Sequence, residues 1–218
     1  MGIQLEFEKY KITLLEEALG TASGNPELHH DYIASKAPDK ALALAEVDAV
    51  TFDADEVERK AMTVFPRNGE GWPCLYDYQM KGFFKDSCKM LRKVTGSKSS
   101  KVKAYRQDID GSIFVRERMV PFVMPDGSMP EVGRCERPLR ASTPQGERVA
   151  LAASETVPAG CTLTLTVMCL RPGMFPWIHE MMDYGALRGL CQWRNSGKGR
   201  FSYEVIGHGK AGSADAEE

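Results

Sequence analysis

The order in which two hydrophobic periodicities follow each other along the chain is the strongest constraint on its fold. Residues 3–14 alternate apolar and polar side chains as a half-buried strand does, whereas residues 76–93 repeat apolar side chains at helical spacing. The predicted elements run in the order strand, helix, strands, helix, strand, and they cover residues 3–14, 76–93, 112–115, 119–123, 148–153, 162–170, 176–188 and 201–206. Helices and strands therefore share one α+β domain.

This order is that of a ferredoxin-like or RNA-recognition-type core with insertions, in which an antiparallel sheet carries two main helices on one face. With 218 residues, of which 43% are apolar, the chain is long enough to bury such a core without disulfides. We expect a single domain over residues 1–207, with an inserted helical and acidic segment at about residues 25–63. A disordered tail is predicted at residues 208–218.

The cysteine and hydropathy patterns argue against metal-binding, secreted and membrane proteins. The six cysteines form no C-x-x-C pair and the four histidines share no ligand spacing with a cysteine pair, so neither a metal nor another cofactor is predicted. The sequence begins without the apolar run of a signal peptide, and no apolar stretch approaches the ~20 residues needed to span a bilayer. We therefore expect reduced thiols, a cytoplasmic location and no membrane partner.

Positive charge is concentrated in one segment, although the whole chain has a net charge of −2. Between residues 79 and 106 the single acid is Asp86, and the nine cations are Lys81, Lys85, Lys89, Arg92, Lys93, Lys98, Lys101, Lys103 and Arg106. This excess is too large for a helix face built from internal ion pairs, and it predicts contact with phosphates. Residues 95–101 are small, polar and basic, so they are predicted to be mobile until an anion orders them.

The glycine loop, residues 189–200, is the second predicted phosphate contact. Its small residues would let consecutive backbone N–H groups point at an anion, and Arg194, Lys198 and Arg200 add positive charge with no acid nearby. The Gly-Lys-Ser/Thr ending of a nucleotide-hydrolysing P-loop is absent. We expect the loop and the cationic helix to come together as one cradle for a polyanionic strand.

Three segments resemble motifs of the RAMP superfamily, the repeat-associated RNA-binding proteins of CRISPR effector complexes. Residues 73–85 resemble the beginning of that family's first helix, where an aliphatic-Lys-Gly sequence precedes a basic residue. Residues 155–160 are similar to the Glu-x-Val-Pro-x-Gly sequence that begins one of its strands, and residues 196–200 resemble its C-terminal glycine-rich loop. A fainter match is the glycine turn at residues 19–24.

The resemblance implies that the protein binds single-stranded RNA, with DNA as the alternative ligand. Our primary hypothesis is a binding protein without enzymatic activity. The predicted nucleic-acid-binding residues are Lys81, Lys85, Lys98, Lys101, Lys103, Arg106, Trp193, Arg194, Ser196, Gly197, Lys198, Gly199 and Arg200. Trp193 and Tyr105 are the aromatic residues expected to stack on bases. CRISPR effector subunits or further copies of the chain are the other expected partners, and a stand-alone relative carried by a phage fits equally well.

Two other functions stay open at this level. In the processing nucleases of the same superfamily an early histidine acts as general base on a ribose 2′-hydroxyl, so His29 or His30 would serve a metal-independent endoribonuclease. Alternatively, the chain mimics an effector subunit, as an anti-CRISPR protein would, and its acidic residues 46–58 imitate nucleic acid.

Overall fold

The computed structural model describes residues 4–25, 62–143 and 146–212. Its α-helices are α1 (Asp77–Leu91), α2 (Tyr105–Ser112) and α3 (Phe175–Arg188). Its strands are β1 (Gln4–Leu14), β2 (Ala18–Leu19), β3 (Ala22–Ser23), β4 (Met62–Val64), β5 (Cys74–Tyr76), β6 (Ile113–Val115), β7 (Met119–Pro121), β8 (Gly133–Thr143), β9 (Gly146–Val157), β10 (Thr162–Cys169) and β11 (Phe201–Gly212).

Four of these strands form the central sheet. Strands β11, β1, β10 and β6 lie side by side in that order, and every neighbouring pair is antiparallel. Along the chain, α1 lies between β1 and β6, and α3 lies between β10 and β11. This order of elements and of neighbours is that of a βαββαβ ferredoxin-like fold. The predicted α+β class is therefore confirmed.

One hydrophobic core joins the central sheet to both helices. Every second side chain of a strand points to the same face, and in β1 and β10 one such set is buried. The buried residues of this set include Tyr10, Ile12, Leu14, Leu163, Leu165 and Val167. They share the core with Phe83 and Phe84 of α1 and with Ile178 and Met181 of α3. Both helices therefore cover the same face of the sheet.

Helices α1 and α3 run in opposite directions against each other. Gly185, near the C-terminal end of α3, lies so close to α1 that a Cβ here would be 2.0 Å from the Phe83 ring. At the other end of the pair, Trp177 in the first turn of α3 donates its indole N–H to Ser99 Oγ (3.1 Å), beyond the C-terminus of α1. The segment that follows α3 is thus next to the first half of α1, and the segment that follows α1 is next to the beginning of α3.

A second sheet contains β2, β9, β4 and β3 in that order, with β8 paired to β9 in a long antiparallel hairpin. Strands β4 and β9 are parallel, whereas β2 with β9 and β3 with β4 are antiparallel. Gly20, between β2 and β3, lies so close to β4 that a Cβ would be 2.4 Å from the Val64 carbonyl carbon. The glycine turn noted in the sequence is thus a contact between two backbones.

The structure differs from the predicted elements in several places. Helix α2 was not predicted, and β9 is longer at both ends than residues 148–153. Strand β11 continues to Gly212, although disorder was predicted from residue 208, because Gly209 leaves room for the Phe7 ring of β1. Most of the inserted segment, residues 26–61, lies outside the described residues, as do residues 213–218.

Candidate nucleic-acid interface

The glycine loop is closed at its base by contact between two stretches of backbone. The N–H of Leu190 donates to the carbonyl oxygen of Gly199 (2.8 Å), and a Cβ at Gly199 would lie 2.1 Å from the Leu190 carbonyl oxygen. Gly189 and Gly199 have φ of 92° and 70°, a region that other residues rarely adopt. Both glycines are therefore required by the shape of the loop.

The backbone N–H groups of the glycine loop do not form the predicted anion site at three positions. Gly199 donates its N–H to the carbonyl oxygen of Glu17 (2.8 Å), and Ser196 and Gly197 donate to carbonyl oxygens three residues earlier in the loop (both 3.0 Å). These donors are used within the chain, so the expectation that the small residues expose consecutive N–H groups is wrong at these positions. A ligand of the loop would therefore not contact these three N–H groups.

Two of the three loop cations form ion pairs with acids that are distant in the sequence. Arg194 Nη1 lies 2.7 Å from Asp86 Oδ2 of α1, and Lys198 Nζ lies 2.5 Å from Glu17 Oε1. The hydrogen bond to Glu17 raises the pKa of Lys198. The expectation that no acid balances these charges is therefore wrong. Arg200 is exposed, and it has no ion pair within the described part of the chain.

Lys81 and Lys85 lie on the side of α1 that faces α2. Lys85 Nζ is 2.5 Å from Asp110 Oδ1, and Lys81 Nζ donates to the carbonyl oxygen of Asp110 (3.3 Å). Lys81 also lies over the Phe114 ring, 4.7 Å from its centroid, and burial lowers the pKa of this lysine. Successive helical residues are about 100° apart around the axis. Asp86, which contacts the glycine loop, therefore points in another direction from Lys85.

The other predicted cations form an exposed surface at the C-terminal end of α1, in the loop after it and in the first turn of α2. This basic segment, residues 89–106, includes the exposed side chains of Lys89, Arg92, Lys93, Lys98, Lys101, Lys103 and Arg106. None of them belongs to an ion pair among the described residues. Arg92 and Arg106 lie near the Tyr105 ring, 5.1 and 5.9 Å from its centroid. The lysines are exposed and outside ion pairs, so they are free to contact a polyanion.

An anion from the chain itself orders the loop that was predicted to be mobile. The Glu180 carboxylate of α3 accepts the N–H of Lys98 (2.6 Å), the N–H of Ser99 (2.9 Å) and the Ser99 hydroxyl (2.6 Å). Burial acts to raise the pKa of Glu180, but these hydrogen bonds and the positive charge of Lys98 outweigh it and lower the pKa. The carboxylate binds backbone N–H groups, so the lysine ammonium groups of the loop stay exposed.

The two aromatic candidates have different surroundings. Tyr105 is 8% exposed and belongs to the hydrophobic core, so the prediction that it stacks on bases is wrong. Trp193 is 37% exposed and has φ 55°, which is unusual for a bulky side chain. Arg137 of β8 was not among the predicted site residues, and its guanidinium lies 5.3 Å from the centroid of the Trp193 ring. No local pattern marks this arginine, because its partners lie in other elements.

A groove of about 470 Å³ lies between α1, the glycine loop and the turn from β2 to β3. Its lining includes Thr21, Gln79, Gly82, Leu190 and Arg194. Because α1 and α3 are antiparallel, this groove and the basic segment lie toward opposite ends of the helix pair. The sequence predicted a single cradle, and this prediction is wrong. The structure has two cationic regions, which are connected by α1, a helix of 15 residues that spans about 22 Å.

One residue of the motifs that resemble the RAMP superfamily has a clear structural role. Glu155 is 8% exposed, and its carboxylate accepts the N–H of Phe65 (2.9 Å) and the Arg67 guanidinium (3.0 Å). Its carbonyl oxygen also accepts the N–H of Gly20 (2.8 Å). Glu155 thus ties β9 to two other segments, the glycine turn and the residues that follow β4.

The structure does not describe the residues on which the two alternative functions depend. His29 and His30, and the acidic residues 46–58, lie outside the described residues. Over residues 4–25, 62–143 and 146–212, no group of three or more His, Cys, Asp or Glu side chains could hold a metal ion. No helix of that same part of the chain is long and apolar enough to cross a membrane.

The fold places the chain in the ferredoxin-like class. No protein-family model and no curated protein matches the sequence. Among solved structures, the chain is similar to a chain in the cryo-EM structure of the Type III-B Cmr-beta bound to cognate target RNA, with a TM-score of 0.52 and 11% identity. The similarity covers 96% of this chain and 61% of that one, so this protein spans about three fifths of the length of the chain it matches. At this identity the similarity concerns the fold alone.

Proposed function

We propose that this protein binds single-stranded RNA as a relative of the RAMP superfamily, in or beside a CRISPR-type ribonucleoprotein complex. The similarity of fold to a chain in RNA-bound Cmr-beta supports the class, and the motif at residues 73–85 supports the family. Binding, and not cleavage, is the proposed activity, because the described residues offer cationic surfaces and a stacking residue. Other subunits of such a complex, or further copies of this chain, are its proposed protein partners.

The observation that carries the proposal is the basic segment. Its cations are exposed, and no acid pairs with them among the described residues. Like charges held close together repel one another, and a polyanion relieves this repulsion while it releases counterions. The lysines at positions 98, 101 and 103 follow each other in a loop that Glu180 holds in place, so they would meet the phosphates of a strand with little loss of backbone freedom.

A path for the strand follows from the order of the two regions. Phosphates would contact Lys98, Lys101 and Lys103 beyond one end of α1 and pass Lys89 on the exposed surface of the helix. The strand would then reach the glycine loop and the groove beside it, where Arg200 is exposed and Trp193 is accessible. Phosphate contacts give affinity without choice of sequence, so the proposal predicts broad specificity with a preference for unpaired bases.

Fluorescence anisotropy with labelled oligonucleotides tests the proposal. Single-stranded RNA is expected to bind with an affinity that falls steeply with salt, by about 0.7 in the logarithmic slope for each phosphate that is neutralised. Double-stranded RNA of the same sequence should bind more weakly, and single-stranded DNA measures the contribution of the 2′-hydroxyl. An affinity for single-stranded RNA that does not change between low and moderate salt would overturn the proposal.

A further inference from the structure

Arg137 of β8 is a buried guanidinium next to the glycine loop. The residue is 7% exposed. Its Nη1 donates to Ser154 Oγ of β9 (2.9 Å), and its Nη2 donates to Gln192 Oε1 of the loop (3.0 Å). Both acceptors are neutral, and no ion pair within the described residues includes Arg137. A buried cation without a carboxylate costs folding free energy, so its position requires some other compensating contact.

The ring of Trp193 supplies that contact. The guanidinium carbon lies 5.3 Å from the ring centroid, within the range in which a cation is attracted to the face of an indole. The two hydrogen bonds fix the plane of the guanidinium, because its donors have a rigid fork geometry. The backbone of Trp193 is held as well, since its left-handed conformation lies in a loop that the contact of Gly199 with Leu190 closes.

We propose that Arg137 and Trp193 form a base-stacking site, in which Arg137 is the positioning residue and the free face of the indole stacks on an unpaired nucleobase. This inference rests on the proposed function and names its substrate class more closely, as a strand whose bases are unstacked. Arg137 lies over the Trp193 ring, and 37% of the residue is exposed, so part of Trp193 is accessible to a ligand. The positive charge behind the ring attracts the phosphates that flank the stacked base.

Tryptophan fluorescence separates stacking from phosphate contact. The measurement is made in a Trp72→Phe background, because Trp72 is partly exposed. Trp177 is 7% exposed but donates to Ser99 of the basic segment, so Trp193→Ala in the same background measures the contribution of Trp177 to any change. The probes are a short oligouridylate and an abasic ribose-phosphate oligomer of the same length. The oligouridylate is expected to quench the emission, and the abasic oligomer is expected to bind without quenching.

Matched variants test the role of each residue. Trp193→Ala should weaken oligouridylate binding by about tenfold at an unchanged salt slope, because it removes a stack and no charge. Arg137→Lys keeps the charge but loses the planar fork, so it should reduce the quenching and part of the affinity. Gln192→Ala removes one acceptor of the Arg137 guanidinium and leaves Arg137 itself intact, so it also tests whether the fixed guanidinium positions the ring. Arg134→Lys, on the exposed side of the same strand, is the control that should leave both signals unchanged.

The outcomes distinguish this inference from the function on which it rests. If single-stranded RNA binds with the expected salt dependence but Trp193 is not quenched and Trp193→Ala binds normally, the stacking site is overturned and RNA binding stands. If Arg137→Lys and Gln192→Ala quench like the parent protein, Arg137 does not position the ring. If no single-stranded RNA binds, the proposed function and this inference both fail.

Discussion

The glycine loop and the basic segment both carry several cations, but acids are arranged around them in different ways. In the loop, carboxylates contact the charged side chains directly, as Asp86 does with Arg194 and Glu17 does with Lys198. In the basic segment, the Glu180 carboxylate contacts backbone N–H groups and leaves the lysine side chains exposed. The glycine loop therefore has a fixed shape and two of its three cations in ion pairs, whereas the basic segment has a fixed backbone and cations outside ion pairs.

This difference separates two properties that a nucleic-acid surface needs. Unpaired cations provide long-range attraction and salt-dependent affinity, and the basic segment has them. A rigid loop with an oriented aromatic ring provides a defined place for a base, and the glycine loop has that. We therefore expect substitutions in the basic segment to change the RNA affinity and its salt dependence. Substitutions in the glycine loop should mainly change the shape of the loop.

The largest effect is expected from Gly199→Ala, which tests whether the shape of the loop depends on backbone contact. At φ 70° an alanine is strained, and its Cβ would lie 2.1 Å from the Leu190 carbonyl oxygen. We expect a loss of about 3 kcal/mol in the free energy of unfolding. Gly82→Ala is the matched control, because nothing lies within 4 Å of its Cβ and it sits inside a helix. Urea denaturation should show the control equal to or more stable than the parent, and two equal losses would contradict the prediction.

A smaller loss of stability is expected from Glu180→Gln, which removes the anion that orders the basic segment. Hydrogen bonds to a charged group contribute about 2 kcal/mol, and a neutral amide keeps only part of this. Hydrogen exchange at the amides of Lys98 and Ser99 should become faster, while the amides of the glycine loop stay protected. Unchanged exchange at both positions would show that the carboxylate does not hold this loop.

The same carboxylate predicts a pH dependence. The pKa of Glu180 in the folded protein is below its ordinary value of 4.5, so the ionised form is stabilised by folding. Its contribution is fully present above about pH 5.5 and is lost as the pH falls through 4.5 toward the folded pKa. Between pH 7 and pH 4, the parent should therefore lose more stability than Glu180→Gln, as thermal unfolding at several pH values would measure. Parallel curves for the two proteins would contradict this assignment.

The next largest effect is expected on RNA affinity, from the double variant Lys101→Ala, Lys103→Ala. If each lysine neutralises one phosphate, the pair accounts for about 1.4 in the logarithmic salt slope and about tenfold in affinity at 0.15 M salt. Lys9→Ala with Lys11→Ala is the matched control, since both lysines lie on the face of β1 opposite the helices. Titration of labelled RNA at several salt concentrations checks both pairs. Equal losses would mean that net charge, and not this surface, controls binding.

The central fold was predictable because its strands and helices each bury one face, which produces a periodic sequence. Helix α2 was missed because its eight residues include Gly111 and only two buried apolar side chains, Tyr105 and Ile109. The end of β11 was missed because Gly207 and Gly209 are typical of loops. Here Gly209 makes room for the Phe7 ring of the neighbouring strand, a contact between residues at opposite ends of the chain.

The exposed cations of the candidate site could be predicted from the sequence, but the ion pairs and other contacts of its remaining cations could not. The lysines of the basic segment could be identified from local composition, because their exposure requires no distant partner. The ion pair of Lys198 with Glu17 joins residues that are 181 apart, and the pair of Arg194 with Asp86 joins residues that are 108 apart. Arg137 has the same property, since its contact with Trp193 depends on the packing of β8 against the glycine loop.

The smallest expected effect tests whether a paired cation of the glycine loop contributes to binding at all. Asp86→Asn should free the Arg194 guanidinium for a phosphate, which predicts about fourfold tighter RNA binding at 0.15 M salt and a salt slope steeper by about 0.7. The ion pair is partly exposed, so little stability should be lost. Glu204→Gln on β11 changes the net charge by the same amount away from the loop and should leave affinity unchanged. If the two variants bind RNA alike, Arg194 belongs to the structure of the loop and does not contact a phosphate of the ligand.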